Sequence, residues 1–496
     1  MTVPSTLPQG VAARRRRTRV LVIGLPLRRR RIAIALNVLA LAVIAVALTV
    51  ASDDQRALAA PMLLLGELAL FYVTVLWKRD GRPPVFEAGT LAVLATAVYG
   101  MIPLAGFLMM HGDWERYSDL RLQQYAFDPF VLGRFGWGYV IYAAAFVATY
   151  LVVRGRAAVK TTAFDVPRPQ LIEAIVIVFG AVYAFVVAVA AVYDLRMDIS
   201  YTPEELQTRM EMLSRMPYIV RQVSENVTLM LLLLKQAVVI LLLSQWRKRW
   251  CRAVLIVWLA YEVSTVVFHL GARTTVVLIL MSAGLLYHRL VRPVRFRTFV
   301  LVGALLLAMF LVAGALRNLG HEAEQPKNVL TTANEFQALY ATAFDLQEKK
   351  NNGSLPPVPW QIYAADFYLE IPSQLLPFEK IDPANWYIQI IGQAGYSTGF
   401  MFGVMSQAAV GLGWPELALR GFVLALFLAL LHRWYVRRAT HFWPTLFYLF
   451  VAVWIYSTMR ASTFWFVYYI VYRFLPVLLA TKFVEMVLSR VRRRRA

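Results

Sequence analysis

About twelve apolar stretches of roughly 20 residues each run through this chain, the length a helix needs to cross the hydrocarbon core of a bilayer. They lie near 32–51, 57–77, 85–110, 131–153, 171–193, 227–245, 253–270, 274–290, 298–316, 415–434, 442–459 and 462–482. Backbone in hydrocarbon must satisfy its own hydrogen bonds, so such stretches are expected to be helices. The composition agrees, with 59% of the 496 residues hydrophobic and only 16% charged. Soluble domains carry about a quarter charged residues. The expected fold class is therefore an all-α polytopic membrane protein. The one cysteine, Cys251, excludes an internal disulfide and any cysteine-built zinc or iron–sulfur cluster.

The formal net charge is +22. A nucleic-acid binder with that excess would be far more polar, and no nucleic-acid partner is expected. The basic residues instead collect in alternate connections. They occupy 14–17 and 28–31 before the first stretch, Lys78, Arg79 and Arg82 after the second, and Arg154 and Arg156 after the fourth. Further runs are Arg247, Lys248 and Arg249, then Arg289 and Arg292, then Arg433, Arg437 and Arg438, and finally 492–495. Counting all the stretches as spans puts every run on one side, which the positive-inside rule assigns to the cytoplasm. Such runs also favour anionic lipid at that surface. No small-residue cleavage site follows a span, so the first is expected to be an anchor behind its basic arm.

The chain then divides into a basic arm (1–31), five spans (32–193), a loop (194–226), four spans (227–316), a second long loop (317–413), three spans (414–482) and a basic tail (483–496). Both long loops fall on the side away from the arginines. Long connections of this kind are usually functional. Each contains an amphipathic helical pattern. The first opens at Thr202 and Pro203 with Glu204 and Glu205 in its first turn, and the second stops at Asn351, Asn352 and Gly353.

Three arginines break the charge rule by falling at the loop-side ends of spans: Arg273 in "HLGARTT", Arg317 in "GALRNLGHE" and Arg460 in "STMRAST". Each alone reads as a helix-end residue that snorkels. Together they would make a bidentate diphosphate grip, because guanidinium groups match phosphate oxygens and stay charged. His269 stands one turn before Arg273, and His321 one turn after Arg317. Glu335, Asp366 and Glu370 lie in the large loop. Any of these groups could activate a hydroxyl. No HExxH, P-loop or EF-hand pattern occurs, and nothing in the sequence asks for a metal or cofactor. Trp360 and Trp386, in the same loop, offer flat apolar faces on which sugar rings stack. Within the spans, Glu67, Lys235 and Glu262 are deepest. They suggest either an ion pair of Lys235 with a glutamate or a transport role. Glu87, Glu173, Arg420 and Arg473 fall nearer span ends.

The pattern as a whole resembles the Wzy-type O-antigen and exopolysaccharide repeat-unit polymerases and, more distantly, the O-antigen ligases. The likeness covers span number, cytoplasmic termini and the two long loops. Locally, Arg273 is followed after ten residues by Gly284, similar to the arginine–glycine spacing of the polymerases. Arg209, Arg215, Arg221 and Arg317 lack a glycine at that distance. "GQAGYSTGFMFGVMSQAAVGLGWPEL" resembles the glycine-rich re-entry before a late span, with Gly411 and Gly413 as its pair. The resemblance implies a GT-C-like glycosyltransferase of a bacterial cytoplasmic membrane, facing the periplasm and working without a metal. Its donor and acceptor would be oligosaccharides on undecaprenyl diphosphate, with membrane lipid and a chain-length regulator protein as partners. It implies that Arg273, Arg317 and Arg460, with His269 nearby, hold the leaving diphosphate, and that Arg215 and Arg221 hold the second one. His321, or Glu335 or Glu370, would activate the acceptor hydroxyl, while Trp360, Trp386 and Asp366 would contact glycan. The competing readings are an O-antigen ligase, a secondary transporter and a lipid-linked glycan flippase.

This topology makes a direct prediction. Cysteine introduced at Ser200 or Gly353 should react with an impermeant thiol reagent in whole cells. Reaction only after lysis would reverse the orientation.

Overall fold

The computed structural model describes residues 25–80, 84–109, 124–155, 167–192, 217–268, 273–292, 335–369, 375–392 and 402–495, with a few isolated positions between them. The described residues are helical, and no strand occurs among them. The first five helices are α1 (Leu25–Val50), α2 (Asp53–Asp80), α3 (Ala88–Met109), α4 (Pro129–Arg154) and α5 (Pro169–Val192). Then come α6 (Tyr218–Ser244), α7 (Arg249–Phe268) and α8 (Arg273–Leu290). The large loop supplies α9 (Glu335–Asn351), α10 (Trp360–Tyr368), α11 (Pro383–Ile390) and α12 (Val404–Val410). The chain closes with α13 (Trp414–Val436), α14 (Phe442–Trp454), α15 (Ser457–Arg460), α16 (Trp465–Tyr469), a π-helical turn (Ile470–Phe474) and α17 (Leu475–Arg495).

Seven described helical segments are long and apolar enough to cross a membrane: α1 to α5, α13 and the run Phe442–Arg460. Shorter apolar stretches, Met230–Ser244 and Val276–Leu290, lie in α6 and α8. The stretch expected at 253–270 is helical as α7. The one expected at 298–316 lies largely outside the described residues. The last expected span is interrupted by the π-helical turn. Among the described residues the architecture is thus a helical membrane bundle with a group of loop helices at one end. That end is called the loop face below, and the opposite end the arginine face.

Local chemistry sets the helix starts. Asp128 caps α4, its carboxylate accepting from the amides of Phe130 (2.8 Å) and Val131 (3.1 Å), with Pro129 at the first helical position. Asp382 caps α11 in the same way through the amide of Asn385 (2.9 Å).

The α4 helix is the hub of the bundle, packing most extensively on α13 and α2. Small residues let these backbones approach. A Cβ added to Gly133 of α4 would stand 2.1 Å from the carbonyl oxygen of Ala57, and one added to Gly421 of α13 would stand 2.5 Å from that of Tyr142. At the arginine face, the buried Arg154 closes the hub. It binds Asp80 at the end of α2 and Glu87 just before α3, its Nε donating to Glu87 Oε2 at 2.9 Å. Tyr150 donates to the same glutamate oxygen at 3.2 Å. His432 of α13 stands beside it, Nε2 lying 3.8 Å from Glu87 Oε1. The Tyr448 hydroxyl accepts from the amide of Ala88 (2.9 Å) and shares a hydrogen bond with His432 Nδ1 (2.8 Å).

Adding a methyl where a carbonyl already stands forces the two helices apart. Overpacking of this kind costs about 1–3 kcal/mol. Gly421→Ala and Gly133→Ala should therefore each lower the melting temperature of the purified protein. Gly180→Ala, where an added Cβ meets nothing within 4 Å, should leave it unchanged. Equal melting of all three would refute the close approach.

Candidate functional site

The loop helices are held onto the bundle by one carboxylate. Asp345 of α9 is fully buried and accepts from Gln124 Nε2 (2.6 Å), the Tyr125 hydroxyl (2.7 Å), the Tyr387 hydroxyl of α11 (2.8 Å) and Lys349. Burial, reinforced by the Asp345 carboxylate, pushes the Tyr125 hydroxyl far above its ordinary range, so it stays a donor. The Tyr340 hydroxyl donates to the carbonyl of Leu132 at the start of α4. Its ring packs on Phe107 and Phe135 at 5.2 and 5.0 Å. A small second core of Leu346, Ile362, Trp386, Tyr387, Phe402, Ala409 and Val410 fills the loop helices.

Beneath this assembly lies a polar cluster centred on Arg420, one turn into α13. The turn that sets it begins at Gly411 and passes through Gly413, whose φ of +70° favours glycine. Pro415 then sits in the first turn of α13. Glu416 accepts from the amide of Leu412 at 2.8 Å and from Arg420 Nε at 2.7 Å, tying the turn to the guanidinium. Arg420 Nη1 donates to Gln407 Oε1 of α12 (2.9 Å) and to Thr463 Oγ1 (3.0 Å), and it pairs with Asp366 of α10. One guanidinium thus joins α13 to α12, to α10 and to the turn at Thr463, the last two 54 and 43 positions away in the chain.

Among the described residues, Asp366 Oδ1 and Gln407 Nε2 of this group are buried with no hydrogen-bond partner, as are Ser406 Oγ and Ser462 Oγ on the residues next to Gln407 and Thr463. Each leaves a hydrogen-bonding group unmet, which costs about 1–3 kcal/mol and calls for an explanation. An acceptor, an amide donor and two hydroxyls in one cluster suit a ligand rich in hydroxyl groups. Asp366 and Glu416 both face Arg420, two carboxyl groups against one guanidinium. Asp366, held through one oxygen, keeps its other oxygen for a hydrogen bond from a hydroxyl.

The residues expected from the sequence fall as follows. Asp366, expected to contact glycan, is a buried member of this cluster. Arg460 ends α15, just before Ser462 and Thr463, with its guanidinium 5.7 Å from the Tyr456 ring centroid. Trp360 is 54% exposed, its ring edge-on to Phe378 at 4.8 Å. Trp386 is 7% exposed and packs on Phe402, so it belongs to the loop core and Trp360 is the free face. Arg273 and Glu335 are the first residues of α8 and α9, and Arg221 lies in α6, but their side chains lie outside the described residues. His269, Arg317, His321, Glu370 and Arg215 also lie outside the described residues. Sequence reading passed over Glu416 and Gln407 and treated Arg420 as an interface residue. The Glu416–Arg420 spacing of four on one helix was the available signal. Lys235 and Glu262 do pair, at 2.6 Å. No family model matches the chain, and no curated protein or solved structure is found to resemble it.

Removing one partner of a buried ion pair strands the others, at about 3–5 kcal/mol. Arg420→Met should therefore sharply lower thermal stability, and Arg420→Lys less so, since an ammonium keeps the charge but cannot fork to four acceptors. Stability unchanged in Arg420→Met would rule out the cluster as drawn.

Proposed function

We propose that this protein polymerises lipid-linked oligosaccharide repeat units at the periplasmic face of a bacterial cytoplasmic membrane, with undecaprenyl diphosphate as carrier of both donor and acceptor. The observation that carries the reading is the Arg420 cluster. It is a buried group of paired charges with unmet hydroxyl, amide and carboxylate atoms, set under a folded loop at the end of the bundle away from the arginine runs. The family resemblance and the two long loops support the same reading.

In the proposed reaction an acceptor sugar hydroxyl attacks the anomeric carbon of the donor glycan. The bond from that carbon to the diphosphate oxygen breaks, and undecaprenyl diphosphate leaves. Charge builds on the departing diphosphate, where fixed cations lower the barrier most. Arg273, Arg317 and Arg460 take that role, with His269 beside them, and Arg215 and Arg221 receive the second lipid diphosphate. His321 is the first candidate to accept the hydroxyl proton, with Glu335 and Glu370 as alternatives. Asp366 adds a fixed acceptor that orients sugar hydroxyls, and Trp360 adds an exposed ring for stacking. The pairing of Lys235 with Glu262 neutralises two of the three deep charges on which a transport reading leans.

The test uses the full chain in lipid vesicles with a polyprenyl-diphosphate repeat unit as sole substrate. A ladder of lengthening glycans is expected. Arg273→Lys should shorten it, and His321→Ala should slow it by about 10²–10⁴-fold, the usual cost of losing a general base. Transfer only to a lipid A-core acceptor would make the protein a ligase. Movement of the intact lipid-linked unit across the vesicle, with no new glycosidic bond, would make it a flippase.

A further inference from the structure

A second cation in the bundle is left without an anion. Arg473 lies in the π-helical turn Ile470–Phe474 and is 4% exposed. Its Nε and Nη1 are buried with no acceptor among the described residues. Arg154, Arg420 and Lys235 each face a carboxylate, and the buried Arg289, whose Nε is also unmet, donates to the carbonyl of Ala439. Arg473 meets rings instead, its guanidinium carbon 3.7 Å from the Tyr469 centroid and 4.8 Å from that of Trp454.

The two ring centroids lie 4.2 Å apart, so both stand on one side of the guanidinium. They leave Nε and Nη1 unmet, in a setting where a buried charge without a counterion is costly. This arrangement is therefore half of a binding site. The missing half is an anion able to accept several hydrogen bonds from one guanidinium, for which a phosphate is the natural match. π-helical turns recur at functional sites, where they widen the helix locally.

Position selects the source of the phosphate. Trp454 ends α14, and Tyr456 follows just before α15; the Arg473 guanidinium reaches up to Trp454, while the adjacent Phe474 packs on Phe447 and Phe450 further toward the arginine face. The Trp454 ring stacks at 6.0 Å on that of Tyr456, which lies under Arg460. A ladder of two rings thus joins the half-buried Arg460 to the buried Arg473. Val471 and Leu475, two residues to either side of Arg473, are exposed large hydrophobics, which puts this helix at the edge of the bundle. A phosphate carried on a lipid can reach that edge from the bilayer, whereas a hydrated free ion would have to enter an apolar, ring-lined space.

We infer that Arg473, backed on one side by Trp454 and Tyr469, binds the phosphate of a membrane lipid entering at the π-helical turn, at a site separate from the Arg420 cluster. This holds whether or not the chain transfers glycan.

The test measures equilibrium binding to the full chain in phosphatidylcholine nanodiscs. The probes are a polyprenyl monophosphate, phosphatidylglycerol, inorganic phosphate and pyrophosphate. Saturable binding of a lipid phosphate is expected, weakened at least tenfold by Arg473→Gln and several-fold by Arg473→Lys. Lys482→Gln, an exposed basic change on the following helix, should leave it intact. Should the glutamine variant fail to accumulate, the lysine variant carries the comparison. Undiminished lipid-phosphate binding by whichever variant folds would overturn the site. Equal affinity for inorganic phosphate or pyrophosphate would overturn the lipid as its source, and absence of binding to any probe would leave Arg473 a packing residue held by its rings.

Discussion

A guanidinium inside a membrane bundle must find acceptors, and Arg420 finds them in four segments at once. Through it the α12–α13 turn, the loop helix carrying Asp366 and the 461–464 turn share one charge. None of those segments could shift alone without stranding a buried carboxylate, an outcome far costlier than loss of an ordinary contact. The placement of Arg420 rests in turn on Gly421, the next residue, whose bare Cα lets α13 lie against the carbonyl of Tyr142 in α4. The candidate site is therefore positioned by a close helix–helix approach of the hub, and loop helices that would otherwise hang from a long connection are drawn onto a rigid floor.

The α4–α13 pair is locked at its other end by an arrangement of the same kind. There a single arginine, Arg154, sits between two carboxylates from α2 and the turn before α3. His432, one turn before the last residues of α13, completes the ring of contacts through Tyr448. Charge clusters at both ends and glycines between them specify one register for these helices. Hydrophobic packing in a lipid solvent cannot do this alone, because lipid tails are as apolar as leucine.

Charges within the bilayer separate into two kinds. Lys235 and Glu262 satisfy each other, and the Trp258 indole N–H donates to the same glutamate oxygen at 2.9 Å. That grouping is self-contained and fixes α6 against α7. Arg473 is of the other kind, a cation lined by aromatic faces and with donors unanswered by the described residues. The contrast separates charges that serve the fold from one that points to a ligand.

The sequence by itself determined that this is a helical membrane protein with its arginines gathered on alternate connections, because hydrocarbon admits few backbone solutions and spans must be about 20 residues long. It also marked the loop helix ending at Gly353, the stop-and-turn at Gly411 and Gly413, and the partnership of Lys235 with a glutamate, since caps, left-handed glycines and intramembrane charges each carry a local signature. Only the tertiary structure decided that Asp366 belongs with Arg420, that Trp386 is core while Trp360 is free, and that Asp345 binds a tyrosine from each of two separate segments. Those pairings join residues up to 221 positions apart, as in Gln124 with Asp345. Helical periodicity reports which face of a segment is apolar, but not which other segment will meet it. The physical reason is that a buried polar group is tolerated only when its partner arrives from elsewhere in the chain, and that arrival is a property of packing.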